Sequence, residues 1–123
     1  MIIGIGIDMI EVGRVKDRVA KEGFKKKVFT EAEISYCENQ GIPAQHYAAR
    51  FAAKEAFFKA LGTGWRGSME FNEIEVVHDD SGQPKLRLYG GVLEEAKGKG
   101  TKQMHVSLTH LKATAAAVVL LEG

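Results

Sequence analysis

A chain of 123 residues with a net charge of +1 is the size of one domain, read here as residues 1–123. Its hydrophobic content of 45% suits a globular fold, and no apolar run approaches the roughly 20 residues of a membrane span. The single Cys37 cannot form an internal disulfide and suits a reducing cytoplasm, while four histidines at unrelated spacings give no zinc signature.

The N-terminus, MIIGIGID, lacks a basic n-region and a cleavage site, so it reads as a strand and not as a signal peptide. In residues 2–7 Ile3, Ile5 and Ile7 share one face, and Gly4 and Gly6 the other. Glycine inside a strand marks close approach of another backbone or a ligand. Asp8 is expected to end the strand. Asp8-x-x-Glu11 matches a helix N-cap with a reaching carboxylate, and a helix is predicted from about Met9 to Lys21, stopping at Gly23. A carboxylate at a strand end is equally placed to bind a ligand or metal, and the two readings are compatible.

Residues 14–27 carry seven basic side chains against Asp17 and Glu22, a local surplus of +5 that leaves −4 for the rest of the chain. Such a patch is either a solvated helix face or a docking surface for an acidic partner. It has no interleaved aromatics, which argues against single-stranded nucleic acid.

Thr30-Glu31-Ala32-Glu33 is a capping box, with Phe29 and Ile34 placed for a hydrophobic staple. The helix it starts is predicted to reach about Asn39, where Gly41-Ile42-Pro43 breaks it. Cys37 reads as a small buried hydrophobe. The next helix is the longest. Pro43 suits a first turn, no Pro or Gly interrupts residues 45–61, and Gly62 supplies a left-handed stop. On this helix Tyr47, Phe51, Glu55 and Phe58 form one stripe, and Ala49, Ala53, Ala56 and Ala60 the opposite, small face. Glu55 therefore interrupts an aromatic stripe. It is either paired with Lys59 one turn on, worth a few tenths of a kcal/mol, or bound to a metal.

Beyond Gly64 the chain is polar and irregular to Ser68. Residues 73–78 and 85–89 are predicted to form a hairpin across Asp79-Asp80-Ser81-Gly82, and 90–97 a short helix. Residues 104–110 and 113–121 form a second hairpin turning at Leu111-Lys112, with His105, Ser107 and Thr109 on one face of its first strand. That polar row faces solvent or lines a site. The order β-α-α-α-β-β-α-β-β, richer in hairpins than in crossovers, implies an α+β fold: a mainly antiparallel sheet packed on the long central helix.

Six segments, in order, carry a family likeness: GIGIDMIEVGRV (4–15), FTEAEISYC (29–37), RFAAKEAFFKALGTG (50–64), FNEIEV (71–76), SGQP (81–84) and HVSLTH (105–110). Together the chain resembles the acyl-carrier-protein synthase family of 4′-phosphopantetheinyl transferases. The resemblance implies transfer of the phosphopantetheine arm of coenzyme A to a serine of an apo acyl carrier protein, with release of adenosine 3′,5′-bisphosphate. It implies Mg²⁺ held by Asp8 and Glu55, and Lys59 against the phosphate that the ion bridges, these three being the catalytic set. The proton of the serine would go to Glu55 or to a metal-bound water. Glu11 is near enough in sequence to support the metal shell but receives no catalytic role.

The resemblance further implies coenzyme A contacts from Arg50, Lys59, Gly62, Thr63, Gly64, His105, Ser107 and Thr109, with the 62–64 backbone cradling phosphates. It implies a homotrimer with sites between subunits, and a role in fatty acid biosynthesis. The family's carrier proteins are acidic, so Arg14, Arg18, Lys21 and Lys25 are the docking candidates. Arg14 comes first because, on a helix, it would follow Asp8 by under two turns. Two further readings remain open on the residues alone: a non-catalytic module docking an acidic protein, and an Mg²⁺-dependent pyrophosphate hydrolase.

Overall fold

The computed structural model describes residues 1–63 and 67–123. Its elements run β1 (Ile2–Glu11), α1 (Val12–Val19), α2 (Phe24–Val28), α3 (Glu31–Glu38), α4 (Pro43–Leu61), a 3₁₀ turn (Phe71–Glu73), β2 (Ile74–His78), β3 (Pro84–Leu88), α5 (Gly90–Gly98), β4 (Gln103–His110) and β5 (Thr114–Glu122). All strand pairing is antiparallel, as expected, but divides into a three-stranded sheet ordered β1-β5-β4 and a separate β2-β3 hairpin.

The long helix α4 is the centre of the fold. It starts with Pro43 in its first turn and ends at Gly62, whose φ of 80° is the left-handed conformation a glycine accepts without strain. Nearly every position from Tyr47 to Leu61 is buried, because α4 packs on the large sheet, on α1 and α3, and on β2. Its alanine face lies directly on β1. A Cβ added at Gly4 would sit 1.9 Å from the Ala60 carbonyl oxygen, and one at Gly6 would sit 2.0 Å from that of Ala56. The glycines of β1 and the alanines of α4 are thus one packing device.

This geometry turns the isoleucine face of β1 outward. Ile5, Ile7 and Met9 are 63%, 65% and 69% exposed. They align through β5 with His105, Ser107 and Thr109 of β4: the registers are Ile5–Leu120–His105, Ile7–Val118–Ser107 and Met9–Ala116–Thr109.

Two helix boundaries differ from expectation. β1 continues past Asp8 because its ladder with β5 runs to Glu11–Thr114. Asp8 is therefore no N-cap; α1 starts at Val12, and Glu11, its N-cap residue, makes no capping hydrogen bond with its side chain. Residues 24–28 form the short α2 after Gly23, whose φ is 83°. α3 has the expected capping box, the Thr30 hydroxyl accepting from the Glu33 N–H and the Thr30 N–H donating to Glu33.

Lys54 is fully buried and ties the elements together. Its ammonium donates to Glu33 Oε1 (2.7 Å) and to the carbonyls of Val28 (2.7 Å), Phe71 (3.1 Å) and Ile74 (2.5 Å). Glu33 Oε2 in turn accepts the Val76 N–H. Burial lowers the Lys54 pKa, with Glu33 and Glu75 opposing that shift.

Candidate active site

Asp8, Glu55 and Lys59 are brought together where β1 crosses the C-terminal half of α4. Asp8 alternates with Gly4 and Gly6 and so points to the helix side of the sheet. Lys59 Nζ donates to Asp8 Oδ1 and to the Ile7 carbonyl, each at 3.0 Å. Lys59 thus reaches across to Asp8, and no Lys59–Glu55 ion pair is formed among the described residues. Burial, then the Asp8 carboxylate, raises the Glu55 pKa; Lys59 and Arg18 pull it down.

Two neighbouring carboxylates, the charge of one acting against that of the other, could together hold a hard divalent cation. Among the described residues no third acidic, histidine or cysteine ligand joins them. Such a donor set fits Mg²⁺, which keeps several waters and takes one or two carboxylates along with phosphate oxygens.

Glu11 lies three residues along an extended strand from Asp8, on the other face, and is exposed. It is not beside the carboxylate pair. Arg14 is also farther away than its spacing implied: four residues of strand at about 3.3 Å each separate Val12 from Asp8, not a turn of helix. The cation of α1 that acts on Glu55 is Arg18, whose guanidinium lies 5.7 Å from the Phe51 ring centroid. Lys21 stands in the turn after α1. Lys25, in α2, is bound to Glu38 at 2.9 Å and lies near the Tyr47 ring, so its charge is already partnered away from the Arg18 face.

The expected coenzyme A contacts fall in three places within one chain. Gly62 follows Lys59, but its N–H caps α4 by donating to the Lys59 carbonyl (3.0 Å), so it is not available as a phosphate donor. Thr63 comes next, and Gly64 lies outside the described residues. His105, Ser107 and Thr109 are on the outer face of the sheet, opposite to Asp8; His105 Nε2 is 2.5 Å from Glu122 Oε1. Arg50 lies about two and a half helical turns before Lys59 and so on the other side of α4.

Around Arg50 is a group that sequence spacing does not disclose. Arg50 is only 2% exposed. Its guanidinium carbon is 4.2 Å from the Tyr36 ring centroid, and Tyr36 stacks on His78 at 5.0 Å. His46 contacts Tyr36 (5.8 Å) and His110 (5.3 Å). These residues come from α3, α4, β2 and β4, and are joined only by tertiary structure.

The fold is thus α+β, with a carboxylate pair and a lysine meeting at a strand–helix crossing. A family model described as the 4′-phosphopantetheinyl transferase superfamily matches residues 4–118. A protein named holo-[acyl-carrier-protein] synthase from Syntrophus aciditrophicus (strain SB) is 47% identical, the alignment covering 100% of this chain and 98% of that one. Among solved structures, the holo-[acyl-carrier-protein] synthase of Neisseria meningitidis aligns with a TM-score of 0.88 at 36% identity, covering 100% of both chains. That of Bacillus anthracis, in complex with CoA (3′,5′-ADP), aligns with a TM-score of 0.83 at 37% identity, covering 100% of this chain and 98% of the other. The chain belongs to the 4′-phosphopantetheinyl transferase superfamily.

Proposed function

We infer that this chain transfers the 4′-phosphopantetheine moiety of coenzyme A to a serine of an apo acyl carrier protein, giving the holo carrier and adenosine 3′,5′-bisphosphate. The observation that carries the reading is the meeting of Asp8, Glu55 and Lys59 in a chain that aligns end to end with holo-[acyl-carrier-protein] synthases.

Asp8 and Glu55 would hold Mg²⁺, which neutralises pyrophosphate charge and fixes its orientation. Lys59, tethered to Asp8 and the Ile7 carbonyl, supplies positive charge where charge builds on the departing phosphate. The serine proton passes to Glu55 or to water beside it. Arg18 and Arg14 of α1, with Lys21 after it, are the side of the molecule that an acidic carrier protein would meet. Arg18 ranks first because its charge reaches Glu55. Arg50, His105, Ser107 and Thr109 remain assigned to coenzyme A, and so do Thr63 and Gly64.

The reading includes a homotrimer with sites between subunits. Asp8 and His105 lie on opposite faces of one sheet, so in one chain they cannot share a ligand at close range. The outer face carrying Ile5, Ile7 and Met9 has an apolar character that suits burial against another copy. The buried free thiol of Cys37 fits a cytoplasmic enzyme of fatty acid biosynthesis.

The deciding test is the intact mass of an apo acyl carrier protein after incubation with coenzyme A and Mg²⁺. A gain of one phosphopantetheine, lost with chelator, is expected. No mass gain would overturn the reading, and cleavage of coenzyme A without carrier protein would favour a hydrolase.

A further inference from the structure

Helix α1 presents two different faces. Arg14 and Arg18 lie one turn apart on one of them. Val12, Lys16 and Val19, spaced by four and three residues, lie on the other. This second face walls a cleft of about 760 Å³, closed on its other sides by the α3–α4 link, the first turn of α4 and the β4–β5 turn. The lining is mainly apolar. Val12 and Tyr47 are buried beneath it, Val19 and Pro43 are half-buried, and Ile42 is 56% exposed. None of the lining residues belongs to the Asp8–Glu55–Lys59 site or to the group around Arg50.

Three lysines, Lys16, Lys25 and Lys112, border the cleft against one acidic side chain, Glu38. Glu38 is already engaged. Its Oε2 accepts from the Tyr47 hydroxyl (2.5 Å) and from Lys25 Nζ (2.9 Å), and these bonds hold its carboxyl below the usual range. Lys16 and Lys112 are exposed and form no ion pair among the described residues. The Val12 N–H donates to the Ala113 carbonyl (2.9 Å), so Lys112 stands beside the first turn of α1, and Lys16 follows Val12 by one turn. The two unpaired ammonium groups thus belong to the same end of the cleft.

Hydrocarbon walls with positive charge at one end fit an amphiphile whose head is an anion. The size points to a small molecule. Pockets of about 300–1,000 Å³ hold single ligands, whereas a stable protein partner needs about 800 Å² of matching surface. The stripe from Val12 to Val19 is about 10 Å long, which suits an extended alkyl chain better than a compact ring system. We propose that this cleft binds the anion of a free fatty acid, its chain along Val12, Val19, Ile42 and Tyr47 and its carboxylate beside Lys16 and Lys112. Each methylene buried against those walls tightens binding by up to about fourfold. The two ammonium groups set the sign of the head group, since they attract an anion and repel a cation. The site goes beyond the transferase reading and does not depend on it.

The test is calorimetric titration of the full chain, at about pH 7.5 where carboxylates are ionised, with octanoate, decanoate and dodecanoate below their micelle concentrations. One molecule should bind per chain, and its dissociation constant should fall by up to about fourfold per added methylene until the cleft is full. Decyltrimethylammonium, with the decanoate-length chain and the opposite charge, should bind about tenfold more weakly than decanoate, or worse. Ile42 is the N-cap residue of α4 and makes no capping bond with its side chain. Ile42→Asp therefore supplies a favourable cap and keeps the helix, while it places a negative charge in the cleft. Its affinity for decanoate should drop by about tenfold or more. The Lys16→Glu/Lys112→Glu double variant, changed at two exposed positions, should lose the preference for decanoate over the cationic analogue. Absence of saturable binding, equal affinity across the chain lengths, equal affinity for the two head groups, or unchanged affinities in both variants would each overturn the proposal.

Discussion

Lys59 and Lys54 are five residues apart on one helix and face opposite fates. Lys59 is half exposed and its ammonium reaches Asp8. If it acts on charge that develops as the phosphate departs, Lys59→Ala should lower kcat by about 10²–10³-fold while raising the KM for coenzyme A much less. Steady-state kinetics with near-normal kcat would return it to the class of ordinary helix-surface lysines. Lys54 has no exposure and holds four acceptors, one each from α2, α3, the 3₁₀ turn and β2. Lys54→Met would leave Glu33 buried without its cation, at a cost of about 3–5 kcal/mol. Urea unfolding should show this, and pairing the change with Glu33→Gln should recover part of the loss. An unchanged midpoint for the single variant would contradict the role assigned to the pair.

At the scale of elements, the contact between β1 and α4 positions the site. Asp8 meets Lys59 because glycines two and four residues before it let the strand lie on the helix backbone. Gly6→Ala puts a methyl 2.0 Å from the Ala56 carbonyl oxygen, and its destabilisation should reach about 3 kcal/mol or more. Gly13→Ala, in exposed α1 with nothing within 4 Å of the added carbon, should instead be neutral or stabilise by up to about 1 kcal/mol. Denaturation curves for the two variants separate close packing from a general intolerance of change. Helix α1 has its own test. If it steers an acidic carrier protein, Arg18→Glu should reduce kcat/KM for the carrier more at low salt than at high salt, with the KM for coenzyme A nearly unchanged. Equal effects on both substrates would remove α1 from the docking surface.

For the whole molecule, the outer face of the large sheet carries an exposed apolar stripe. Ile5, Ile7 and Met9 are more exposed there than apolar side chains in mid-strand normally are. If copies of the chain associate through that face, Ile7→Lys should yield a smaller species by light scattering, with loss of transferase activity. The side chain points away from α4, so the fold of each chain should survive, as far-ultraviolet circular dichroism would show. An unchanged molar mass would rule out this face as the interface.

Local chemistry made much of this protein legible from its residues. Pro43 and Gly62 mark the ends of α4, Thr30 and Glu33 cap α3, and alternation locates the hairpins, because each signal acts over a few neighbouring residues. Asp8, Glu55 and Lys59 were legible as a group only through the family likeness of the motifs that carry them. The end of β1 is not legible locally: Asp8-x-x-Glu11 is a sound capping pattern in isolation, yet pairing of Glu11 with Thr114, over a hundred residues away, keeps the segment extended. Alternation marks the isoleucine stripe as one face of β1, but which face is buried is decided by the glycines, whose missing side chains admit α4. Arg50 is named in the sequence only through the family likeness, and its grouping with Tyr36, His46, His78 and His110 leaves no sequence signal. Its members come from four elements whose distances along the chain are unrelated, and only the packing of α3, β2 and β4 about α4 surrounds that guanidinium with aromatic rings and leaves it without a counter-charge.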